Sequence, residues 1–162
     1  MTRQFGLLAS LIVIFIGAGA HAKDLSSRLG VGYRDAFPIG LPALAMHYYP
    51  NSDVGIVGAL GVDTAEFNSR FGLLVGVRKI IFKEDNLNFF GGGNFSLLTV
   101  EVAGIKESGY ELSGVVGSEF FLSGLDNLGF NVETGVAVTS LGKVRFRTLG
   151  DNFLRAGIIF YF

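Results

Sequence analysis

Apolar residues alternate with small or polar residues along almost the whole chain, and this period of two constrains the fold most. In the segment that ends at Phe162, one face carries only apolar residues: Leu154, Ala156, Ile158, Phe160 and Phe162. Successive side chains of a strand point to opposite faces, so this segment is predicted to be a strand with a wholly apolar face. No segment after residue 22 shows a convincing helical stripe. The chain is therefore predicted to be all-β.

Eight segments of this kind are found, each about as long as a tilted membrane strand. They lie near residues 26–35, 41–49, 54–63, 70–82, 87–97, 110–120, 128–138 and 154–162. Compact turns rich in Asn and Asp are predicted between alternate segments, at 50–53, 83–86 and 123–127. Longer connections are predicted at 36–40, 64–69, 101–109 and 139–152. Short turns at one rim and longer loops at the other predict an eight-stranded antiparallel up-and-down transmembrane β-barrel.

The composition agrees with strands that approach each other closely. The chain has 24 Gly, 16 Phe and only three Pro, and 49% of its residues are hydrophobic. No long apolar run follows residue 22, as a membrane helix would require. Residues 80–82 break the alternation, which predicts a bulge in the fourth strand.

The first 22 residues have the features of a secretory signal peptide. A short segment with Arg3 precedes an apolar run from Phe5 to Ile16, and Ala20-His21-Ala22 fits a cleavage site. We therefore predict two parts, a signal peptide at 1–22 and a barrel domain at 23–162. The barrel domain has 12 basic and 14 acidic residues, a balance that gives no indication of nucleic-acid binding.

The second face of each predicted strand, opposite the apolar face, indicates which side of the barrel meets solvent. It is rich in Gly, Ala, Ser and Asn and carries few charges, which suits the crowded interior of a narrow barrel. Nine charged residues fall on it: Arg28, Arg34, Asp63, Arg70, Arg78, Glu111, Glu119, Glu133 and Arg155. Because confined charges must pair or suffer a large desolvation cost, this near-balance predicts a salt-bridged plug rather than an ion-selective pore.

The aromatic residues of the apolar face fall into two groups, as expected for the two interfaces of a membrane. One group is predicted near the short turns: Tyr48, Phe82, Phe89, Phe120, Phe130, Phe160 and Phe162. The other is predicted toward the longer loops: Tyr33, Phe71, Phe95 and Tyr110.

With these features, residues 23–162 resemble the small eight-stranded outer-membrane barrels, the family of the OmpA transmembrane domain and OmpX. The resemblance rests on the signal peptide, the strand count, the alternating turns and the pattern Leu154-x-Ala156-x-Ile158-x-Phe160-x-Phe162. It implies localisation in the outer membrane of a Gram-negative bacterium, surrounded by lipid and lipopolysaccharide. It also implies that Ile158, Phe160 and Phe162 form the signal that the barrel-assembly machinery reads during insertion.

Residues that would support chemistry are scarce. A lipid deacylase needs a serine activated by a neighbouring base, but the only histidine after residue 22 is His47, at the short-turn end and without a nearby serine in sequence. One histidine and no cysteine do not indicate a metal site, and Gly91–Gly93 lacks the Lys-Ser/Thr of a phosphate-binding loop. No catalytic, cofactor-binding or metal-binding residue is predicted. The stretch Lys143–Arg147 is a candidate contact for lipid A phosphates.

The sequence thus predicts a non-enzymatic outer-membrane barrel with a plugged polar lumen and a structural, envelope-integrity or surface-interaction role. Three alternatives remain open at this point: a narrow channel for small solutes, a lipid-modifying enzyme, and a soluble secreted barrel that carries an apolar ligand.

Overall fold

A computed structural model describes residues 24–148 and 154–162 of the chain, and these residues contain nine β-strands and no helix. The strands are β1 (Arg28–Asp35), β2 (Pro42–Tyr49), β3 (Val54–Asp63), β4 (Arg70–Glu84), β5 (Leu87–Val102), β6 (Ile105–Phe121), β7 (Leu128–Leu141), β8 (Lys143–Thr148) and β9 (Arg155–Tyr161). The predicted signal peptide and Lys23 lie outside the described residues. Within those residues, no helix is long and apolar enough to cross a membrane.

The strands form a closed antiparallel barrel, as predicted. Strands β1 to β7 pair in sequence order, and β9 pairs with β7 on one side and with β1 on the other. The closed barrel therefore has eight strands, β1 to β7 and β9. Strand β8 is an additional strand that pairs with the last residues of β7, beyond the end of β9.

The stagger of the barrel explains why β7 has two successive partners on one edge. Followed through β2 to β6, the cross-strand pairs lead from Tyr33 to Ser140. Followed through β9, they lead from Tyr33 to Phe130, ten residues away on the same strand. A closed barrel requires such a shift because its strands are tilted. The C-terminal half of β7 therefore extends past the end of β9, where it pairs with β8.

Exposure alternates along most of the strand length in the barrel wall and separates two surfaces. In β2, Leu44, Met46 and Tyr48 are exposed on the outside, whereas His47 and Tyr49 are buried inside. The outer surface carries apolar residues round the barrel, and the inner surface carries polar, charged and aromatic side chains packed against small residues.

The short turns lie at the end of the barrel that also holds β1's first residues and Phe162; we call it the short-turn end. In the β2–β3 turn, the Asn51 side chain accepts hydrogen bonds from the backbone N–H groups of Asp53 and Val54, both at 2.9 Å, which is the role expected of Asn in turns. The Ser52 hydroxyl and the Lys83 ammonium lower the pKa of Asp53. The predicted bulge in β4 is confirmed by a register shift between Ile80 and Phe82.

Two of the predicted long loops, at 101–109 and 139–152, are wrong for the residues that the structure describes; residues 149–152 of the second lie outside the described residues. Residues 101–109 form a tight hairpin between β5 and β6, in which Ala103 and Gly104 have φ angles of 51° and 80°. Two successive residues with positive φ match the twist of the flanking strands, so the strands continue to the turn. Residues 139–148 likewise form the end of β7 and all of β8, joined at Gly142, whose φ is 68°. The end that carries these two hairpins is called the loop end below.

Candidate functional site

Among the described residues, the barrel interior holds six fully buried charges, three of each sign: Arg34, Arg78, Arg155, Glu111, Glu119 and Glu133. All six come from the inner faces of strands, so the register of the barrel fixes their positions. They form three clusters, each centred on one carboxylate.

The Glu133 cluster joins three strands across the lumen. Arg34 of β1 donates a short hydrogen bond to Oε1 of Glu133, and Arg78 of β4 donates to Oε2 at 3.0 Å. The guanidinium of Arg78 also lies 4.2 Å from the centre of the Phe90 ring, a cation–π contact. One carboxylate thus pairs with two buried cations. Because all three groups are removed from water, loss of the carboxylate would leave two buried charges without their partner.

The Glu111 cluster lies nearer the loop end. Arg155 of β9 donates to Oε1 of Glu111 at 2.9 Å, and the Thr139 hydroxyl donates to Oε2 at 3.0 Å. The guanidinium of Arg147, on β8, approaches Oε2 to 3.6 Å. Both carboxylate oxygens are therefore partnered, and the cluster links side chains of β6, β7, β8 and β9.

The Glu119 cluster uses hydroxyl donors in place of guanidinium groups. The Tyr161 hydroxyl donates to Oε1 of Glu119 at 2.7 Å, and the Tyr49 hydroxyl donates to Oε2 at 3.2 Å. Nδ1 of His47 lies 3.0 Å from the Tyr161 oxygen. Because that hydroxyl donates to Glu119, it accepts from His47, which places the imidazole proton on Nδ1.

Aromatic rings close the lumen at the short-turn end. Tyr161 packs at ring-centre distances of 6.2 Å from Tyr49 and 6.0 Å from Phe121. Glycines make room for these rings, since a Cβ atom at Gly30 would lie 2.6 Å from the Tyr161 ring and one at Gly55 would lie 2.6 Å from the Tyr49 ring. The lumen is therefore closed at this end by side chains of the strands themselves, with glycines on neighbouring strands leaving the space.

The β1–β2 loop closes the lumen at the loop end. Phe37 of this loop is buried. The Phe37 ring packs so closely against Gly72 that a Cβ atom at Gly72 would lie only 2.7 Å from it. Nη1 of Arg70 donates to the carbonyl oxygens of Ile39 at 3.0 Å and Gly40 at 3.3 Å. A loop that the sequence predicts only as a connection thus folds inward and is held by a strand residue.

The remaining predicted charges lie at the two mouths of the barrel and are partly exposed. Arg70 forms an ion pair with Asp63 at 3.5 Å at the loop end. Arg28 donates to the Asn127 side chain at 2.6 Å at the short-turn end. The structure therefore brings six of the nine predicted residues together in the interior and leaves these three at the rims.

The residues predicted as an assembly signal lie on the outer face of β9 and just beyond it. Ile158, Phe160 and Phe162 are all exposed. Leu29 and Phe162 exchange two backbone hydrogen bonds, of 3.3 and 3.0 Å. Phe162 therefore lies on the seam where the first and last strands of the barrel meet.

Sequence analysis missed several partners of the buried charges. The available signal was position in the alternation: these partners lie an even number of positions from an inward-facing residue of the same strand. They are Tyr49, Tyr161 and Thr139. Arg147 was assigned to a loop and so was not placed on an inner face.

The described residues show no arrangement that favours catalysis or metal binding. No serine side chain is hydrogen-bonded to His47 within residues 24–148 and 154–162, and this part of the chain contains no group of three or more metal-ligating side chains. Comparison with protein-family models, characterised proteins and solved structures finds no match to this chain. The class that the fold defines is therefore a closed, eight-position up-and-down β-barrel with a charged, filled interior.

Proposed function

We propose that the chain is an outer-membrane barrel that spans the bilayer, with a plugged polar lumen and a structural role in the envelope. One observation carries this proposal: the barrel is inverted relative to a water-soluble protein, with paired charges inside and apolar side chains outside. In membrane barrels the outward face meets lipid and the inward face is polar.

The exposed apolar surface supports lipid contact. It includes Leu44, Met46, Ile56, Val62, Leu73, Val75, Val77, Leu97, Leu112, Val136 and Ile158. These residues come from seven different strands and extend round the barrel. Soluble monomers rarely expose a contiguous apolar patch of more than a few hundred Å², so a water-exposed surface of this kind would be an aggregation hazard.

Outward-facing aromatic residues support two membrane interfaces. Two stacked pairs lie toward the short-turn end, Phe82 with Phe89 at 4.8 Å and Phe120 with Phe130 at 5.4 Å between ring centres. Toward the loop end, Phe95 stacks with Tyr110 at 6.2 Å. Interfacial aromatic residues form such girdles in outer-membrane barrels.

The packed interior supports the plugged lumen. Each interior carboxylate is fully partnered, and both mouths are filled by aromatic side chains. An ion entering the lumen would have to separate buried charges from their partners, which is unfavourable because a buried charge without its partner is strongly destabilising. This favours a structural role over solute transport.

Fractionation and conductance test the two halves of the proposal. The full chain, expressed in a Gram-negative host, should be recovered with outer membranes and show a heat-dependent shift in gel mobility. Recovery in the soluble periplasm without detergent would contradict membrane insertion and favour a soluble carrier of apolar ligands.

In planar bilayers the wild-type barrel should not conduct above the empty membrane. The matched variant Glu111→Ala/Arg155→Ala removes one interior pair without changing the net charge, and we expect it to raise conductance. Discrete conductance steps from the wild type would contradict the plugged lumen and favour a narrow channel. Modified lipid A on expression, lost in His47→Ala, would favour a lipid-modifying enzyme.

The proposed assembly signal needs a test of its own. Phe162→Ala should lower the yield of heat-modifiable barrel in the outer membrane, because it removes the exposed aromatic side chain at the closing seam. Phe67→Ala, an exposed phenylalanine at the loop end, is the control. Equal yields from the two variants would contradict a special role for Phe162 in assembly.

A further inference from the structure

Strand β8 has two chemically different faces at the loop end. Arg145 is paired across from Thr139, and Arg147 is paired across from Ala137; both partners are buried on the inner face of β7. Lys143, Arg145 and Arg147 therefore lie on the inward side. Val144 and Phe146, on the outward side, are 74% and 73% exposed. A basic face and an apolar face thus meet at the rim within six residues.

Among the described residues, two of the three basic side chains have no acidic partner. Arg147 approaches Glu111, but Lys143 and Arg145 form no ion pair or side-chain hydrogen bond within the described part of the chain. Glu107 lies beside the turn at Gly142 without coming within ion-pair distance of Lys143. Residues two apart on a strand are separated by roughly 6.6–6.8 Å. The rim therefore presents two closely spaced positive charges that form no ion pair with another described residue.

These charges border a cavity of about 150 Å³. It lies between the β1–β2 loop, at Pro38 and Ile39, and the inner faces of β7 and β8. A single water molecule needs far less volume, so the cavity has room for a larger polar group. We call it the rim cavity.

We propose that the rim cavity binds a phosphate group of an outer-leaflet glycolipid, with Lys143 and Arg145 as the main ligands. This inference rests on the proposed function: outer-membrane barrels have their short turns on the periplasmic side, so the loop end would face the outer leaflet. The phosphate would neutralise two cations that have no ion-pair partner among the described residues, as charge-assisted hydrogen bonds to phosphate do elsewhere. The lipid's acyl chains would lie against Val144 and Phe146, which a free phosphate ion would not use.

Binding of defined probes to the full chain folded in detergent micelles tests this. Native mass spectrometry would compare bis-phosphorylated lipid A, the same lipid without phosphates, and inorganic phosphate. We expect the wild type to prefer the phosphorylated lipid. Each lost positive charge should weaken binding about fivefold, so Lys143→Ala/Arg145→Ala should weaken it by about twenty-five-fold.

Two control variants separate this site from general electrostatics. Lys79→Ala/Lys106→Ala removes the same charge from other exposed positions and should leave the affinity unchanged. Lys143→Arg/Arg145→Lys keeps both charges and should retain binding within a few fold, which also guards against a loss of fold in the alanine variant. Equal weakening in both alanine variants, or no preference for the phosphorylated lipid, would overturn the proposal.

The Val144→Ser/Phe146→Ser variant distinguishes the source of the phosphate. It should weaken binding of the lipid and leave inorganic phosphate unaffected. If inorganic phosphate binds as tightly as the lipid and this variant changes neither, the site takes a free phosphate and the lipid proposal is wrong. A wild-type chain absent from membranes would contradict the proposed function, whereas a membrane-inserted chain without phosphate preference would contradict this inference alone.

Discussion

The inner and outer surfaces of this barrel are built from the same strands but are specified in different ways. On β2, His47 and Tyr49 belong to a buried cluster with named partners at fixed distances, whereas Leu44 and Met46, on the other face, are exposed. The inner surface depends on which residue meets which. The outer surface depends on the apolar character that its residues share. Substitutions should therefore have residue-specific effects inside and composition-dependent effects outside.

The largest effect is expected from Glu133→Gln on the inner surface. The substitution keeps the shape of the side chain but leaves Arg34 and Arg78 buried without their counter-charge. Removing one partner of a buried ion pair costs about 3–5 kcal/mol. The free energy of unfolding, measured by urea titration of the folded barrel in lipid vesicles, should fall by that amount.

Glu84→Gln is the matched control for Glu133→Gln, since Glu84 is an exposed carboxylate at the end of β4. Its effect should stay within about 0.5 kcal/mol. If the two variants are equally stable, the interior charges are not held as the structure shows, and the distinction between the two surfaces fails.

Val75→Arg tests the outer surface. Val75 lies in the middle of the apolar face of β4 and is exposed. If this face meets lipid, an arginine near the bilayer midplane should destabilise the barrel by about 2–4 kcal/mol. If it meets water, the same change should cost almost nothing. Val102→Arg, at the tip of the β5–β6 hairpin, is the control and should be close to neutral in either environment.

Gly72→Ala probes steric specificity on the inner surface. A Cβ atom there would lie 2.7 Å from the Phe37 ring, so the loop that fills the loop end would have to move. Overpacking of this kind costs typically about 1–3 kcal/mol. Gly114→Ala is the control because a Cβ atom at Gly114 meets nothing within 4 Å. Equal unfolding free energies for the two variants would show that Phe37 does not pack into the lumen.

The alternation of residues was sufficient to predict the eight strands of the barrel wall, the barrel class and the inward parity of the charges, but not the additional strand β8. It was not sufficient to predict which charges pair. Glu133 meets Arg34 and Arg78 because the ten-residue stagger brings three strands to one level, and that stagger is a property of closure rather than of any one strand. The tight β5–β6 and β7–β8 hairpins were missed because a single glycine, Gly104 or Gly142, does not stand out as a turn signal in a chain that has 24 glycines.

Glu119→Gln should have the smallest effect of the inner substitutions, although Glu119 is as buried as Glu133. Its hydrogen-bond partners are the hydroxyls of Tyr49 and Tyr161, which carry no charge. The amide oxygen of glutamine can still accept one of these bonds, so we expect a loss of about 1 kcal/mol. The same urea titration measures it, and a double-mutant cycle with Tyr49→Phe isolates the weaker contact. A loss as large as that of Glu133→Gln would mean that Glu119 acts mainly as a counter-charge for the buried arginines.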